Sequence, residues 1–249
     1  MCSSDLNLQV APVGAAATGG SVFQFNGQPN VGAGAIFVNG GPNNAIMLNA
    51  AGNPVLMSEA GGFHFSAGVA PLIQAGGAVI DSIPVRWGVY AGGVQIDPFH
   101  GAVNAQFFQF MGVMSVTPAA VLQQTGAATF NTVVGFTKPV DEQARFGGTA
   151  SLIVGLSFGA NPEINRYDVT VTDAGGRNWT GTLITPQSLA SFGGGQTTSN
   201  LSVSCGGACP STGNGKAAGF VIGPNRGGMI SSYNLSAGTA GVTGSIAVK

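Results

Sequence analysis

Apolar and polar residues alternate with a period of two through most of the chain beyond residue 83. The clearest case begins at Tyr167, where Tyr167, Val169 and Val171 share one side and polar residues share the other. The following Asp-Ala-Gly-Gly stretch (173–176) suits a turn, because glycine adopts positive φ angles without steric cost. The chain then returns with Trp179 on its apolar side. This pattern predicts a β-hairpin with one buried face and one face in water.

About nine segments of this kind follow one another between Ile83 and residue 249. Eight or so antiparallel strands are enough to close a small barrel, and closure removes exposed strand edges. We therefore expect an all-β fold in which residues 83–249 form a small closed antiparallel β-barrel of about eight strands. The apolar positions that mark these strands are Val85, Trp87, Val89, Phe108, Phe110, Met114, Val116, Phe130, Val134, Phe136, Leu152, Val154, Leu156, Phe158, Ala218, Phe220, Ile222, Val242, Ile246 and Val248.

The stretch before this region is less regular. Residues 13–82 hold short apolar pieces separated by Gly, Pro and Asn, which predicts an irregular, Gly-rich β segment or a linker. The Ala, Leu and Ile content of residues 67–80 predicts one short helix there. Residues 1–6, Met-Cys-Ser-Ser-Asp-Leu, look like translated sequencing-adapter sequence. We treat residues 1–12 as a suspect or disordered start outside the fold. An export signal is then expected in a missing N-terminal part.

The composition narrows the class of partner. Charged residues make up only 7% of the chain, against about 25% in a typical soluble domain. The polar surface must therefore come from Ser, Thr, Asn and Gln side chains. A net charge of −1, with no cluster of Lys and Arg, argues against nucleic-acid binding. No run of about 18 apolar residues occurs, so no transmembrane helix is predicted.

Two of the three cysteines lie close together. Cys205 and Cys209 flank a Gly-Gly-Ala stretch, whereas Cys2 belongs to the excluded start. In an oxidising compartment the pair can close a small disulfide loop worth about 2 kcal/mol. Free thiols are the second interpretation. A metal site is the third, and it lacks further Cys or His ligands at suitable spacing.

The sequence contains a match to one catalytic motif, but the residues around it do not provide the structure that the motif requires. Residues 155–159 match the G-x-S-x-G pattern of a nucleophile elbow, but Ser157 lies inside an alternating strand and no histidine follows it. His64 and His100 adjoin aromatic residues and are interpreted as turn or partly buried histidines. Asp141 and Glu142 are expected to be solvated in a loop. We assign no catalytic, cofactor-binding or metal-ligating residue, and we expect no enzyme activity and no cofactor.

Other polar and aromatic residues have simpler interpretations. Trp87 and Trp179 are expected to plug the barrel interior, with a ligand platform as the alternative. Asn178, Asn200 and Asn234 begin formal glycosylation sequons, which we expect to be empty in a bacterial protein.

Several short motifs, taken in order, carry a resemblance to known surface proteins. They are Arg-Trp-Gly at 86–88, Gly-Ala-Ala-Thr-Phe at 126–130, Gly-Lys-Ala-Ala-Gly-Phe at 215–220, Ile-Ser-Ser-Tyr at 230–233 and Val-Thr-Gly at 242–244. The region from Arg86 onward resembles the C-terminal barrel of transferrin-binding protein B. It is also similar to the barrel that ends bacterial surface proteins with an iron-dicitrate-sensor (FecR-type) domain. The resemblance implies an exported eight-stranded barrel without catalytic residues, and it does not extend to transferrin binding.

These observations favour a non-enzymatic module at the cell surface or outer membrane of a Gram-negative bacterium. It would bind a host or environmental protein, or a small ligand, through its loops, and an anchor in the missing N-terminal part could attach it to the membrane. Two alternatives stay open: a structural domain that caps a larger surface protein or filament, and a transmembrane outer-membrane barrel. Few Tyr and Trp residues are available for the aromatic girdles that the last alternative requires.

Overall fold

The computed structural model describes residues 22–28, 35–39, 45–58, 64–97, 101–193, 200–207, 209 and 212–249. Residues 1–12, Cys2 and His100 lie outside these ranges. The described chain is all-β, which confirms the predicted class. No helix in this part of the chain is long and apolar enough to cross a membrane.

The strands form three antiparallel sheets, which we name by their positions. The inner sheet has the order β2-β1-β10-β7-β6 and the outer sheet has the order β3-β4-β5-β8-β9. The inner strands are β1 (Val22–Gln28), β2 (Ala35–Asn39), β6 (Leu72–Ile80), β7 (Ile83–Tyr90) and β10 (Phe107–Val113). The outer strands are β3 (Ala45–Leu48), β4 (Pro54–Ser58), β5 (His64–Ser66), β8 (Val94–Asp97) and β9 (Gly101–Asn104).

The third sheet, the curled sheet, is the largest and has eleven strands. Its main path runs β11-β14-β15-β16-β18-β19-β20-β21-β12, with two short strands, β13 and β17, pairing beside it. Its strands are β11 (Gly126–Phe130), β12 (Val133–Phe136), β13 (Val140–Asp141), β14 (Thr149–Phe158), β15 (Glu163–Thr172), β16 (Asn178–Leu183), β17 (Gln187–Ser188), β18 (Leu201–Gly206), β19 (Thr212–Ile222), β20 (Gly228–Ala237) and β21 (Ala240–Val248). Two short helices, α1 (Ala119–Leu122) and α2 (Leu189–Gly193), accompany it.

The prediction of a small closed eight-stranded barrel is wrong, because the hydrogen-bonded path of this sheet is open. Its end strands, β11 and β12, are consecutive in the chain and are joined only by Asn131 and Thr132. The Asn131 and Thr132 N–H groups both donate to the Lys249 carbonyl, at 3.3 and 3.0 Å. The sheet therefore curls until the chain itself, rather than a strand pairing, joins its two ends.

The region expected to form only the barrel contributes to all three sheets. Strands β7 to β10 pair in the inner and outer sheets, and the curled sheet begins at Gly126. The predicted helix at residues 67–80 is wrong. Most of that stretch is the edge strand β6, which pairs with β7 along its length. Asp81 and Ser82 join these strands with positive φ angles of 47° and 67°, as a two-residue hairpin turn requires.

The sheets pack as three layers around separate apolar cores. One core fills the curled sheet and includes Tyr167 and Trp179. A second lies between the curled and inner sheets, where Trp87 and Met111 meet Ile230. A third core, between the inner and outer sheets, contains Phe65, Tyr90, Phe108 and Phe110. Every residue of β10 is buried, so the inner sheet is covered on both faces.

The β15–β16 hairpin agrees with its prediction in detail. Val171 pairs with Trp179, and Tyr167, Val169, Val171 and Trp179 are buried while Thr170 and Thr180 are exposed. Because strands alternate in direction, this hairpin turn lies at the same end of the curled sheet as the turns after β13 and β20. We call this the tight-turn end. The opposite end, which carries α1 and α2, is the loop end.

Candidate functional site

The interior of the curled sheet is filled by side chains. Trp179, Tyr167 and Phe192 are each 0% exposed there, and the Tyr167 ring lies 5.6 Å from the Phe192 ring. The Tyr167 hydroxyl is 2.9 Å from Ser231 Oγ, and burial raises the pKa of Tyr167 well above its ordinary value. The expectation that Trp179 plugs the interior is confirmed. Packing of this kind is typical of a rigid scaffold.

Trp87 does not lie in that interior, so the same expectation is wrong for this residue. It belongs to β7 and packs in the core between the inner and curled sheets. A Cβ atom added to Gly76 or to Gly135 would overlap the Trp87 indole. The ring is therefore held between a strand of each sheet, where it fixes the two sheets against one another.

An ion cluster closes the tight-turn end. Asp141 accepts hydrogen bonds from the backbone N–H groups of Gln143 and Arg145 and from Arg145 Nε. Asp173 repeats this arrangement with Gly175, Arg177 and Arg177 Nε. In both cases the Nε–Oδ2 distance is 2.6 Å. Each carboxylate thus shapes its own turn and also holds the arginine that follows four residues later.

Arg177 and Glu142 join the turns into one cluster. Two Arg177 nitrogens donate to the two Glu142 oxygens at 2.8 and 2.7 Å. The second of these oxygens also accepts from the Gly241 N–H at 3.0 Å. The Arg177 guanidinium lies 5.4 Å from the Trp179 ring, whose Nε1 donates to Asp173 at 2.9 Å. The turns after β13 and β15 and the start of β21 are therefore tied together by charge-assisted hydrogen bonds, which are the strong ones.

The electrostatics favour the charged state of the cluster. Burial alone would raise the pKa of Glu142, but hydrogen bonds from Arg177 and Gly241 outweigh it and hold that pKa below its ordinary value. Burial likewise opposes ionisation of Asp173, and hydrogen bonds from Trp179 and Arg177 lower its pKa. The hydrogen bond to Glu142 is the main cause that raises the pKa of Arg177.

The geometry of the cluster is that of a clamp that holds neighbouring segments of the chain together. The cavity beside it, between Phe107, Glu142 and Thr243, has a volume of about 20 Å³, which accommodates a single water molecule. No group of three or more His, Cys, Asp or Glu side chains in the described ranges is placed to hold a metal ion. The expectation that Asp141 and Glu142 are solvated is wrong, since Asp141 is 3% exposed and Glu142 is partly buried.

The structure joins Cys205 and Cys209 in a disulfide with a Cα–Cα distance of 6.0 Å. Cys205 is 6% exposed and stands opposite Trp179 in the pairing of β18 with β16. Cys209 packs against the same core from its edge. The disulfide therefore closes the chain just beyond the last pair of the β18–β19 ladder, Ser204 with Thr212.

A groove of about 610 Å³ lies where the chain crosses between the outer and inner sheets. We call it the crossover groove. Residues 67–71, 91–93 and 105 border it, and small apolar residues dominate its lining. Gly92 and Gly93 have φ angles of 113° and 137°, and a Cβ on Gly93 would lie 2.6 Å from the Phe65 ring. Val69, at the rim, is 100% exposed. The volume is within the range of ligand sites, about 300–1,000 Å³.

A second groove, of about 540 Å³, lies at the loop end between the two helices and β19. We call it the end groove. Leu122 from α1, Leu189 from α2 and Phe220 from β19 contribute apolar walls, and Gln123 and Thr117 contribute polar groups. The Thr117 N–H donates to the Val221 carbonyl at 3.0 Å, which fixes α1 against the curled sheet. Neither groove has a charged residue in its lining.

The remaining residues singled out from sequence do not come together. Ser157 lies within β14 and accepts a hydrogen bond from Asn165 at 2.7 Å. His64 is partly buried on β5 of the outer sheet. Among the sequons, Asn178 is exposed, whereas Asn200 and Asn234 are buried. The strand, strained turn and helix of a nucleophile elbow do not occur around Ser157.

Sequence reasoning missed the ion cluster. Its signal was the spacing Asp-x-x-x-Arg, which occurs at 141–145 and again at 173–177 and which the structure uses for the same turn twice. Comparison with known proteins adds no assignment: no protein-family model and no curated protein matches the chain.

Proposed function

We propose that this chain is a non-enzymatic module of an exported bacterial surface protein, and that it binds a partner protein through surfaces outside the packed interior of the curled sheet. The observation that carries the proposal is the packed interior, in which Trp179, Tyr167 and Phe192 are fully buried. A filled interior leaves no room for a small ligand there. Two concave surfaces among the described residues, the crossover groove and the end groove, are available for binding, and both are open and uncharged.

The rigid construction of the module supports this role. The ion cluster and the disulfide fix the tight-turn end, and Trp87 locks the inner sheet to the curled sheet. Binding residues are commonly carried by loops on such a fixed scaffold. The crossover groove is bordered by the connecting segments 67–71 and 91–93, whereas the end groove lies between α1, α2 and β19.

The location outside the cell is supported by two features. A disulfide persists in oxidising compartments and is rare in the cytosol, and Cys205 is bonded to Cys209. The outward face of the curled sheet carries a row of hydroxyl groups, with Thr170 opposite Thr180 and Thr180 opposite Ser204. Such a face suits water better than lipid hydrocarbon, so the proposal places the module outside the membrane core.

The suspected relation to transferrin-binding-protein-B-like and FecR-associated barrels belongs to the same proposal. Three of its motifs, at 215–220, 230–233 and 242–244, lie side by side on β19, β20 and β21. The Arg-Trp-Gly motif at 86–88 lies on β7 of the inner sheet instead. The relation would thus rest on the curled sheet and on the sheet packed against it.

Site-specific photocrosslinking tests the proposal. A benzophenone amino acid is placed singly at Val69 beside the crossover groove, at Gln123 beside the end groove, and at Thr180 on the hydroxyl row as the control. The purified proteins are irradiated with surface extracts of the bacterium and of its surroundings. We expect a discrete protein adduct from Val69 or Gln123, suppressed by excess wild-type protein, and none from Thr180.

Two results would contradict the proposal. Identical adducts from all three positions, or none from either groove position, would remove the binding role. Trapping of thiols in intact cells tests the location separately, because free thiols at Cys205 and Cys209 would contradict export.

A further inference from the structure

A continuous series of contacts begins at the disulfide. Cys205 and Trp179 are direct cross-strand partners and both are buried in the core of the curled sheet. Side chains in such positions have Cβ atoms about 4.5–5.5 Å apart. A change in the position of Cys205 therefore displaces the neighbouring Trp179 indole.

The series continues from Trp179 into the ion cluster. The indole N–H donates to Asp173 Oδ2 at 2.9 Å, and the same oxygen accepts from Arg177 Nε at 2.6 Å. Arg177 then binds Glu142 through two hydrogen bonds, and Glu142 accepts from the Gly241 N–H at 3.0 Å. Because Asp173 Oδ2 is shared, a displaced indole changes the position of the carboxylate that orients Arg177.

We propose that the disulfide and the ion cluster form one redox-sensitive latch at the tight-turn end. With the disulfide closed, Cys205 supports Trp179, and the two turns stay clamped to β21. Cys205 lies beyond the last β18–β19 pair, Ser204 with Thr212, so with the disulfide open it loses its covalent link to Cys209 and keeps its pairing with β16. The latch is a property of the fold, and it stands whether or not the proposed function is correct.

The chemical step is thiol–disulfide exchange with a dithiol reductant. A thiolate of the reductant attacks one sulfur of the disulfide, the S–S bond breaks, and the second thiol of the reductant releases the mixed disulfide. Two electrons and two protons pass to the protein, so Cys205 and Cys209 become thiols and the reductant becomes a cyclic disulfide. The output of the switch is release of the start of β21, where Gly241 lies, from the ion cluster.

Hydrogen exchange of single amides measures the latch. The probes are two backbone amides: the Gly241 N–H, which donates a hydrogen bond to Glu142, and the Arg177 N–H, which donates one to Asp173. Thr117, whose N–H bonds to Val221 at the loop end, is the control. On reduction with dithiothreitol we expect exchange at Gly241 and Arg177 to accelerate about tenfold or more, up to the roughly thirtyfold that loop closure of this size allows. Exchange at Thr117 should stay within twofold.

A variant in the ion cluster distinguishes coupling between the disulfide and the cluster from a general destabilisation of the fold. Glu142→Gln weakens the clamp without changing its shape, and we expect it to accelerate Gly241 exchange strongly in the oxidised protein but by less than threefold after reduction. Equal acceleration in both states would show that the disulfide and the cluster act independently. Unchanged exchange at Gly241 on reduction, or an equal rise at Gly241 and Thr117, would also overturn the latch. The double variant Cys205→Ser, Cys209→Ser must reproduce the reduced behaviour without reductant.

Discussion

Replacing Asp173 by Asn tests how much the ion cluster stabilises the fold. The Asp173 residue is 2% exposed, and its carboxylate accepts four hydrogen bonds, from Gly175 N–H, Arg177 N–H, Arg177 Nε and Trp179 Nε1. Asn keeps the shape but removes the charge and places an amide nitrogen against a donor. Breaking one partner of a buried pair costs about 3–5 kcal/mol, and we expect that loss for Asp173→Asn.

The chain contains a matched control for this variant. Asp168 contacts Arg166 Nε at the same 2.6 Å, but its side chain is 32% exposed and that of Arg166 is 54% exposed. Exposed pairs of this kind contribute about 0–1 kcal/mol, so Asp168→Asn should change the stability little. The two ion pairs therefore have the same length, and the sites differ in burial and in the number of hydrogen bonds that the carboxylate accepts.

The assay is equilibrium unfolding in urea, followed both by tryptophan fluorescence and by circular dichroism. The free energy of unfolding comes from linear extrapolation, with the slope compared between variants. Refutation would be an Asp173→Asn loss no larger than about 1 kcal/mol, the value of a surface pair, or equal losses for the two variants. Either result would mean that the cluster forms in the fold without stabilising it.

Three further predictions address the cluster and the packing of the sheets. Folding lowers the pKa of Glu142, so the ionised side chain stabilises the fold above its unfolded pKa, and this stabilisation is lost as the pH falls through its folded pKa. The free energy of unfolding should therefore drop below about pH 4, and it should drop less in Glu142→Gln. Urea unfolding at several pH values measures both. Gly135→Ala forces a methyl group against Trp87 and should cost about 1–3 kcal/mol, measured in the same way; an unchanged free energy of unfolding would contradict this. Gln74 donates to the Phe136 carbonyl at 3.1 Å and accepts from the Lys138 N–H at 2.7 Å, so Gln74→Ala should lower stability by about 1–2 kcal/mol, while the same change at the exposed Gln123 should not.

The sequence predicts those elements that have one solvent-exposed face and one buried face. The hairpin of β15 and β16 is the best case, because Thr170 and Thr180 face water opposite Val171 and Trp179. Alternation of this kind predicts both the strand and which of its two faces is buried. The disulfide pair was equally accessible to sequence reasoning, because Cys205 and Cys209 are separated by only three residues.

The predictions that failed concern features that depend on distant parts of the chain. Strand β10 is buried on both faces, so its residues carry no signal about which sheet covers which side, and Trp87 was placed in the wrong core for the same reason. Strand β6 looked helical from its Ala, Leu and Ile content, but its pairing with β7 decides its conformation. The bond from Arg177 to Glu142 joins two turns that are far apart in sequence, and local spacing does not reveal it.

The connection between β11 and β12 at Asn131 and Thr132 has a consequence for how the protein folds. Both residues form hydrogen bonds with Lys249, so these bonds cannot form until the whole curled sheet has been synthesised. Contacts between such distant residues slow folding, and β12 lacks its pairing partner until β21 is present. With so few charged residues to protect this strand, the nascent chain is exposed to edge-to-edge aggregation during that interval.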